Sequence, residues 1–207
     1  MTITNIYFDT EFTGLHMGTT LISIGLIAEN GSQFYAELTD YDYSQIDEWL
    51  EKNVIQNLLL QNLNDGQTIK KASGVVAKGD KLHVRKELCS WLSDMSGEIQ
   101  FVSDVSHFDF ALLLDLLSDN IFDIPDRISK TCVDLNEIIA EYMGISPKEA
   151  FDKCREDLLT FAIEGFSEDN KHNALYDALV IKAIYETRPI TCMRSSDYEA
   201  MLKKVGK

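Results

Sequence analysis

The N-terminal segment Ile6–Leu15 constrains the fold more than any other part of the sequence, because it combines a strand-like apolar run with two acids. Asp9 and Glu11 stand two residues apart near the end of this run, and Gly14 follows them. Side chains alternate across a strand, so both carboxylates point to the same side. Burying two ionised groups at the end of a central strand costs free energy unless a cation lies between them. The segment therefore predicts metal-dependent chemistry.

Composition and charge restrict the class of protein. The chain has 207 residues, of which 45% are hydrophobic and 26% are charged, and such proportions are ordinary for a soluble globular protein. No repeat or proline-rich linker divides it, so we expect a single domain over residues 1–207. A net charge of −15 argues against a protein that coats long duplex nucleic acid, since phosphate binding relies on Lys and Arg. An enzyme that holds a few nucleotides through metal ions remains compatible with it.

The cysteines and the hydropathy pattern predict a cytoplasmic protein. The four cysteines are widely spaced and form no CxxC pair, which is typical of thiols in a reducing compartment. No apolar stretch reaches the length of a membrane helix, and the N-terminus lacks the pattern of a secretion signal.

The segment 70–86 is the one basic stretch in the body of this acidic chain. It carries six Lys and Arg residues and only one acid, Asp80. A solvated loop and helix start is the simpler interpretation. A patch that guides a nucleic-acid strand is the alternative.

The hydrophobic pattern predicts an α/β fold. Strands are expected at 3–9, 21–28, 33–38, 99–103 and 128–133, with Asn30-Gly31 at the turn of a hairpin. Helices are expected at 44–63, 81–93, 108–118, 135–143, 148–163, 174–187 and 195–205, and residues 65–80 are expected to be irregular. A three-stranded antiparallel meander followed by alternating strands and helices implies a five-stranded mixed sheet with parallel strands, flanked by helices.

Two further acids are predicted to face inward from helices. Asp109 lies in a first helical turn, where the helix dipole alone favours an acid, but it shares a stripe with leucines such as Leu113. Asp177 shares a stripe with small and apolar residues such as Ala178. An acid in such a row is unexpected unless it has a partner. His172 precedes the second of these helices and is placed to reach the same centre.

The order and spacing of these motifs resemble the DEDDh-type 3′–5′ exonucleases of the RNase H-like (DnaQ-like) superfamily, although each motif alone is weak. Residues 9–15 resemble the first motif of that family, Phe108-Asp109 the end of the second, and His172 with Asp177 the third. Many members carry His-Asn ahead of the second-motif aspartate, where this chain has Asp104-Val105, so the role of Asp104 stays open. The segments 21–31 and 102–105 resemble the RNase AS-like exoribonuclease branch.

This resemblance implies an RNase H-like fold and a metal-dependent 3′–5′ exonuclease. Its substrate would be single-stranded RNA or short oligonucleotides, with release of nucleoside 5′-monophosphates. It also implies two Mg²⁺ or Mn²⁺ ions per active site, no membrane association and a possible homodimer. His172 would be the general base, a task that imidazole suits near neutral pH. The implied metal ligands are Asp9, Glu11, Asp109 and Asp177. The residues implied to meet the 3′-terminal nucleotide are Phe12, Thr13, Gly14 and Leu15.

Two other functions stay open at this point. A DNA 3′–5′ exonuclease of the trimming or proofreading type would use the same residues, since the ribose 2′-OH is recognised by local contacts. A catalytically silent nucleic-acid-binding module on the same fold is the second alternative, because a fold does not fix an activity.

Overall fold

The computed structural model describes residues 2–159 and 170–191 and shows a seven-stranded mixed sheet with helices on both faces. The strands are β1 (Ile3–Phe12), β2 (Leu21–Ala28), β3 (Gln33–Leu38), β4 (Gln67–Lys71), β5 (Gly74–Gly79), β6 (Glu98–Ser103) and β7 (Ile128–Asp134). The helices are α1 (Glu48–Asn53), α2 (Lys81–Ser93), α3 (Ser106–Leu117), α4 (Leu135–Met143), α5 (Pro147–Phe151), α6 (Arg155–Leu158) and α7 (Ala174–Thr191). Short 3₁₀ turns lie at Tyr43–Gln45, Ile55–Asn57 and Ile121–Asp123. None of the helices in these ranges is long and apolar enough to cross a membrane.

The sheet has the order β4-β5-β3-β2-β1-β6-β7, which places β1 in its interior. The predicted meander is confirmed, because β1, β2 and β3 pair antiparallel in sequence order. The predicted parallel strands are also confirmed, because β6 pairs parallel with β1 and β7 pairs parallel with β6. The fold class predicted from the sequence is therefore correct.

The number of strands differs from the prediction of five. Residues 65–80, expected to be irregular, contain the hairpin β4–β5, and β5 pairs parallel with β3. β4 is an edge strand whose side chains are mostly exposed and polar, and β5 begins and ends with glycine. Each strand therefore offers only two adjacent strand-forming residues among polar, small or glycine positions, too short a run to stand out as a sequence pattern.

Two predicted helices are also wrong in extent. The segment 44–63 holds only the six-residue α1 between 3₁₀ turns. Its apolar residues serve two separate clusters: Leu50 and Val54 pack with Ile22, whereas Leu60 packs with Tyr35. One continuous helix would present them along a single stripe. The predicted helix 148–163 is divided into α5 and α6, residues 160–163 lie outside the described residues, and so does the predicted helix 195–205.

The basic segment 70–86 is largely engaged in ion pairs. Lys70, Lys78, Lys81 and Arg85 each lie within 4.0 Å of an acid on another part of the chain, namely Glu87, Glu37, Asp115 and Asp119. These contacts tie β4 to α2, β5 to β3, and α2 to α3 and the residues that follow α3. The segment therefore joins neighbouring elements of the fold. It consists of a β-hairpin and the start of α2, and not of a solvated loop.

The two faces of β1 bury different helices. Ile6 and Phe8 belong to the larger apolar cluster, which includes residues of α2 and α3. Tyr7 belongs to the second cluster, which includes residues of α4 and α7. Side chains at alternate positions share a face, so Asp9 and Glu11 lie on the same face as Tyr7, towards α7.

Gly25 allows α7 to lie directly on the sheet beside the acids. It stands opposite Asp9 in the β1–β2 register. A Cβ atom built on it would overlap backbone atoms of Ala174 and Leu175, the first residues of α7. The missing side chain therefore sets how closely the start of α7 approaches β1.

We expect Gly25→Ala to lower the free energy of unfolding by about 1–3 kcal/mol, because the added methyl group overpacks this contact. Gly18→Ala is the control, since the nearest atom to its new Cβ would be 3.6 Å away, in the ring of His16. Urea denaturation of both variants measures the difference. Equal stability of the two variants would contradict the role assigned to Gly25.

Candidate active site

The last residues of β1 extend beyond the strand beside them. β1 pairs with β6 only as far as Tyr7 and Val102, whereas its pairing with β2 continues to Phe12. β6 ends at Ser103, and the chain then turns into α3. One side of β1 is thus left open at Asp9 and Glu11.

This opening forms a cleft of about 450 Å³. The cleft is lined by every residue that the sequence predicted for the site: Asp9, Glu11, Phe12, Thr13, Gly14, Leu15, Asp109, His172 and Asp177. Their elements are far apart in the chain, since β1 brings the first acids, α3 brings Asp109, and α7 with the residue before it brings Asp177 and His172.

The acids form two groups that share Asp9. Carboxylate oxygens of Asp9, Glu11 and Asp177 lie within 4.8 Å of one another, and so do those of Asp9, Asp104 and Asp109. These are the groups of possible metal ligands found among residues 2–159 and 170–191. Carboxylate oxygens are the ligands that Mg²⁺ and Mn²⁺ prefer. The donor set fits a pair of such ions with Asp9 as the common ligand.

Asp109 is buried and held by two hydroxyl groups. The hydroxyl of Thr10 donates to its Oδ1 at 2.7 Å, and that of Ser103 donates to its Oδ2 at 2.6 Å. Only 1% of the residue is exposed. Burial raises the pKa of Asp109 to about 7, although the hydrogen bonds from Ser103 and Thr10 act in the opposite direction.

The pKa values of Asp9 and Glu11 are also raised well above their usual range. Burial is the main cause for both, and the neighbouring acids add to it, chiefly Asp109 for Asp9 and Asp177 for Glu11. Ionised carboxylates in this arrangement repel one another. A divalent cation between them would reverse the balance, because it favours the ionised form.

His172 is held in an unusual backbone conformation beside the acids. Its φ of 61° lies in the left-handed region, and it is the one non-glycine residue of the described chain with positive φ. Its backbone N–H donates to Oδ2 of Asp177 at 3.0 Å. The ring of Trp49 contacts the His172 imidazole edge-on, with 5.0 Å between ring centroids. Strained residues persist where surrounding contacts fix them and are frequent at functional sites.

The turn after β1 forms one wall of the cleft. Thr13 is buried, and its side chain accepts a hydrogen bond from the Thr20 backbone N–H and donates one to Gln45. Leu15 is 73% exposed, so it is not a core residue. Phe12 is partly buried and stacks on Phe108, with 5.6 Å between ring centroids.

Sequence reasoning missed two aromatic residues of the cleft. Trp49 and Phe151 both line it and are about half exposed, at 52% and 53%. Trp49 falls in the segment 44–63, where one long helix was expected, and no spacing in the sequence signals its contact with His172. Phe151 falls in a segment where one continuous helix was expected.

A protein-family model and a curated relative that match this sequence point to the same family. The sequence model of the 3′-5′ exoribonuclease Rv2179c-like domain matches residues 4–188. The 3′-5′ exoribonuclease Rv2179c of Mycobacterium tuberculosis is 36% identical over 52 residues, which is 25% of this chain and 31% of that protein. The matched part of the chain thus spans about a third of the length of the curated relatives.

Solved structures show the same fold at low sequence identity. The Mg²⁺- and Mn²⁺-bound form of S. pombe Pop2p has a TM-score of 0.56 and 17% identity, covering 93% of this chain and 87% of that one. A full-length 3′-exonuclease has a TM-score of 0.59 and 11% identity, covering 94% and 88%. These likenesses show the architecture.

The raised carboxyl pKa values predict that the metal-free protein loses stability as pH rises. An unfolded Asp has a pKa near 4, whereas that of folded Asp109 is about 7. Between these values the folded state binds more protons than the unfolded state, so the free energy of unfolding falls with rising pH. We expect the melting temperature in EDTA to be lower at pH 8 than at pH 5.5. Millimolar Mn²⁺ should restore it at pH 8, since only the folded state holds the site.

Asp109→Asn is the matched control for this measurement, because an amide of the same shape does not titrate. The decrease in melting temperature between pH 5.5 and pH 8 should be smaller in this variant than in the wild type. A wild-type melting temperature in EDTA that stays constant or rises across this range would contradict the prediction.

Proposed function

The chain belongs to the 3′-5′ exoribonuclease Rv2179c-like domain family, and on that premise we propose that it is a metal-dependent 3′–5′ exonuclease. It would hydrolyse phosphodiester bonds of single-stranded RNA or short oligonucleotides and release nucleoside 5′-monophosphates. The observation that carries the proposal is the pair of carboxylate groups sharing Asp9 in one cleft with His172.

Asp9, Glu11 and Asp177 would hold one divalent ion, and Asp9 with Asp109 would hold the other. Two such ions supply an activated water and neutralise the charge on the attacking and leaving oxygens. The Pop2p structure is a Mg²⁺- and Mn²⁺-bound form, which supports the choice of metal suggested by the all-oxygen donor set. Two hydroxyl donors, those of Thr10 and Ser103, hold the Asp109 carboxylate in place.

His172 would act as the general base that takes a proton from the attacking water. The contacts of its backbone N–H with Asp177 and of its ring with Trp49 support this role, because a base must be held within reach of the proton that it removes. Both contacts come from residues of the cleft itself.

The apolar rim of the cleft would receive the 3′-terminal nucleotides. Leu15, Trp49 and Phe151 present exposed apolar surface around the acids, and every base offers a face on which such side chains stack. Gly14, which has no side chain, would let the backbone of the turn approach the substrate closely. Together with the net charge of −15, this rim favours short or single-stranded substrates over long duplexes.

Three further features belong to the same proposal. Residues 1–207 would form one exonuclease domain, which the match over residues 4–188 supports. The protein would act in the cytoplasm, which is supported by the free thiols of Cys89 and Cys132. A homodimer is implied by the resemblance to the RNase AS-like branch.

A direct assay uses matched 5′-labelled single-stranded RNA and DNA oligomers with Mn²⁺, Mg²⁺ or EDTA. We expect RNA to shorten stepwise from its 3′ end in the presence of either metal. Asp9→Ala should abolish this activity, since it removes the ligand common to both ions. His172→Ala should lower the rate by about 10²–10⁴-fold, the usual contribution of a general base.

Asp115→Asn is the control for loss of a carboxylate, because Asp115 lies on the exposed side of α3 and pairs with Lys81. It should retain wild-type activity. Faster degradation of DNA than of RNA would favour the DNA exonuclease, and metal binding without cleavage of either polymer would favour the silent binding module.

We also expect Trp49→Ala to lower kcat/KM on a short RNA by an amount that corresponds to about 1–3 kcal/mol, the worth of one stacked base. Trp49→Phe should retain most of the activity, since it keeps an aromatic face. Phe122→Ala is the control, because Phe122 is 86% exposed and does not line the cleft. Equal kcat/KM values for Trp49→Ala and Phe122→Ala would remove Trp49 from the substrate site.

A further inference from the structure

We infer that Asp104 is a fifth acid of the catalytic centre, where it helps to hold the second cation with Asp9 and Asp109, and that Arg155 is the positioning residue that aims it. This inference rests on the proposed two-ion function. It assigns a role to a residue that the four-acid pattern of the sequence motifs does not include.

Asp104 completes the second of the two carboxylate groups. One group consists of Asp9, Glu11 and Asp177, and the other consists of Asp9, Asp104 and Asp109, each with its oxygens within 4.8 Å of one another. Without Asp104 the second group would have two acids where the first has three. Adding Asp104 gives each cation position three carboxylates, with Asp9 shared.

Arg155 fixes the orientation of the Asp104 carboxylate. Its Nε donates to Oδ2 of Asp104 at 2.6 Å, and the two side chains are only 14% and 13% exposed. Such a charge-assisted hydrogen bond at a largely buried site is stronger than one between neutral groups. A carboxylate has about four acceptor positions on two oxygens, so the bond to Arg155 leaves capacity for a cation.

Asn136 holds both partners of this ion pair. Its Oδ1 accepts a hydrogen bond from Arg155 Nη2 at 2.6 Å, and its Nδ2 donates to the backbone carbonyl of Asp104 at 2.6 Å. Nη1 of Arg155 donates to the carbonyl of Ala150 at 2.8 Å. Asn136 is itself buried at the start of α4. The main chain and the side chain of Asp104 are therefore both anchored.

An ion pair with only a structural role would not need its acid to lie next to Asp9 and Asp109. Asp104 lies where its charge adds to the repulsion around Asp9 and Asp109, which is unfavourable for a pair whose task is only to join α6 to the start of α3. The position of Asp104 is explained if its carboxylate also binds a cation, on the side away from Arg155.

Mn²⁺ binding to the purified full chain without nucleic acid tests the inference. The EPR signal of free Mn²⁺ is followed during titration of the wild type, Asp104→Asn and Arg155→Lys. We expect the wild type to bind two ions. Asp104→Asn should lose about tenfold or more in affinity for one of them, because mutation of even the residues that support metal ligands costs about 10–100-fold in metal affinity. Arg155→Lys keeps the charge but not the forked geometry, so it should weaken the same ion by a smaller factor.

Asp119→Asn is the matched control, because it breaks another Arg–Asp pair, that with Arg85, outside the cleft. It should bind both ions as the wild type does. Thermal melting shows whether each variant is folded; if Asp104→Asn does not fold, Arg155→Lys decides the outcome.

Two unchanged Mn²⁺ affinities in Asp104→Asn, with only a lower melting temperature, would show a structural ion pair and overturn the inference. Unchanged affinities in Arg155→Lys would overturn the positioning role of Arg155. Absence of Mn²⁺ binding to the wild type would instead overturn the two-ion function, and this inference with it.

Discussion

Mutual repulsion among the carboxylates around Asp9 is the constraint on which the rest of the structure depends. Asp9 and Glu11 are fixed by the alternation of β1, and two helices carry Asp109 and Asp177 up to them. Bringing these acids together requires particular contacts, such as the hydroxyl donors of Thr10 and Ser103 on Asp109. It also requires that Gly25 has no side chain, since otherwise α7 could not lie so close to the sheet. The packing of the fold thus works against the electrostatics of the site.

This conflict is what makes the centre suited to divalent cations. Burial and neighbouring charges raise the pKa values of Asp9, Glu11 and Asp109, so without a cation the site lowers its internal repulsion only by taking up protons. A cation relieves that repulsion, and the free energy gained appears as metal affinity and as stability of the folded protein. The left-handed backbone of His172 is a second, smaller strain at the same place. Strain of this kind persists because the surrounding packing determines the geometry.

Much of this arrangement was predictable from the sequence, and the failures have physical reasons. The bounds of β2, β3, α2 and α4 agree with the predictions because their apolar patterns are regular and their ends carry clear turn or cap residues. The inward direction of Asp109 and Asp177 followed from helical stripes, and both residues line the cleft. The edge strand β4 was missed because its exposed positions need no apolar pattern, and β5 was missed because its short apolar run lies between two glycines. The contacts of Trp49 with His172 and of Arg155 with Asp104 join residues distant in sequence, and no local pattern encodes such pairs.

The most direct test of the central claim is anomalous diffraction from crystals of this protein grown with Mn²⁺. We expect two anomalous peaks in the cleft about 3.5–4 Å apart, with the carboxylate of Asp9 as a ligand of both ions. A single peak, two peaks that do not share Asp9, or no peak at the acids would contradict a two-cation centre organised around that residue.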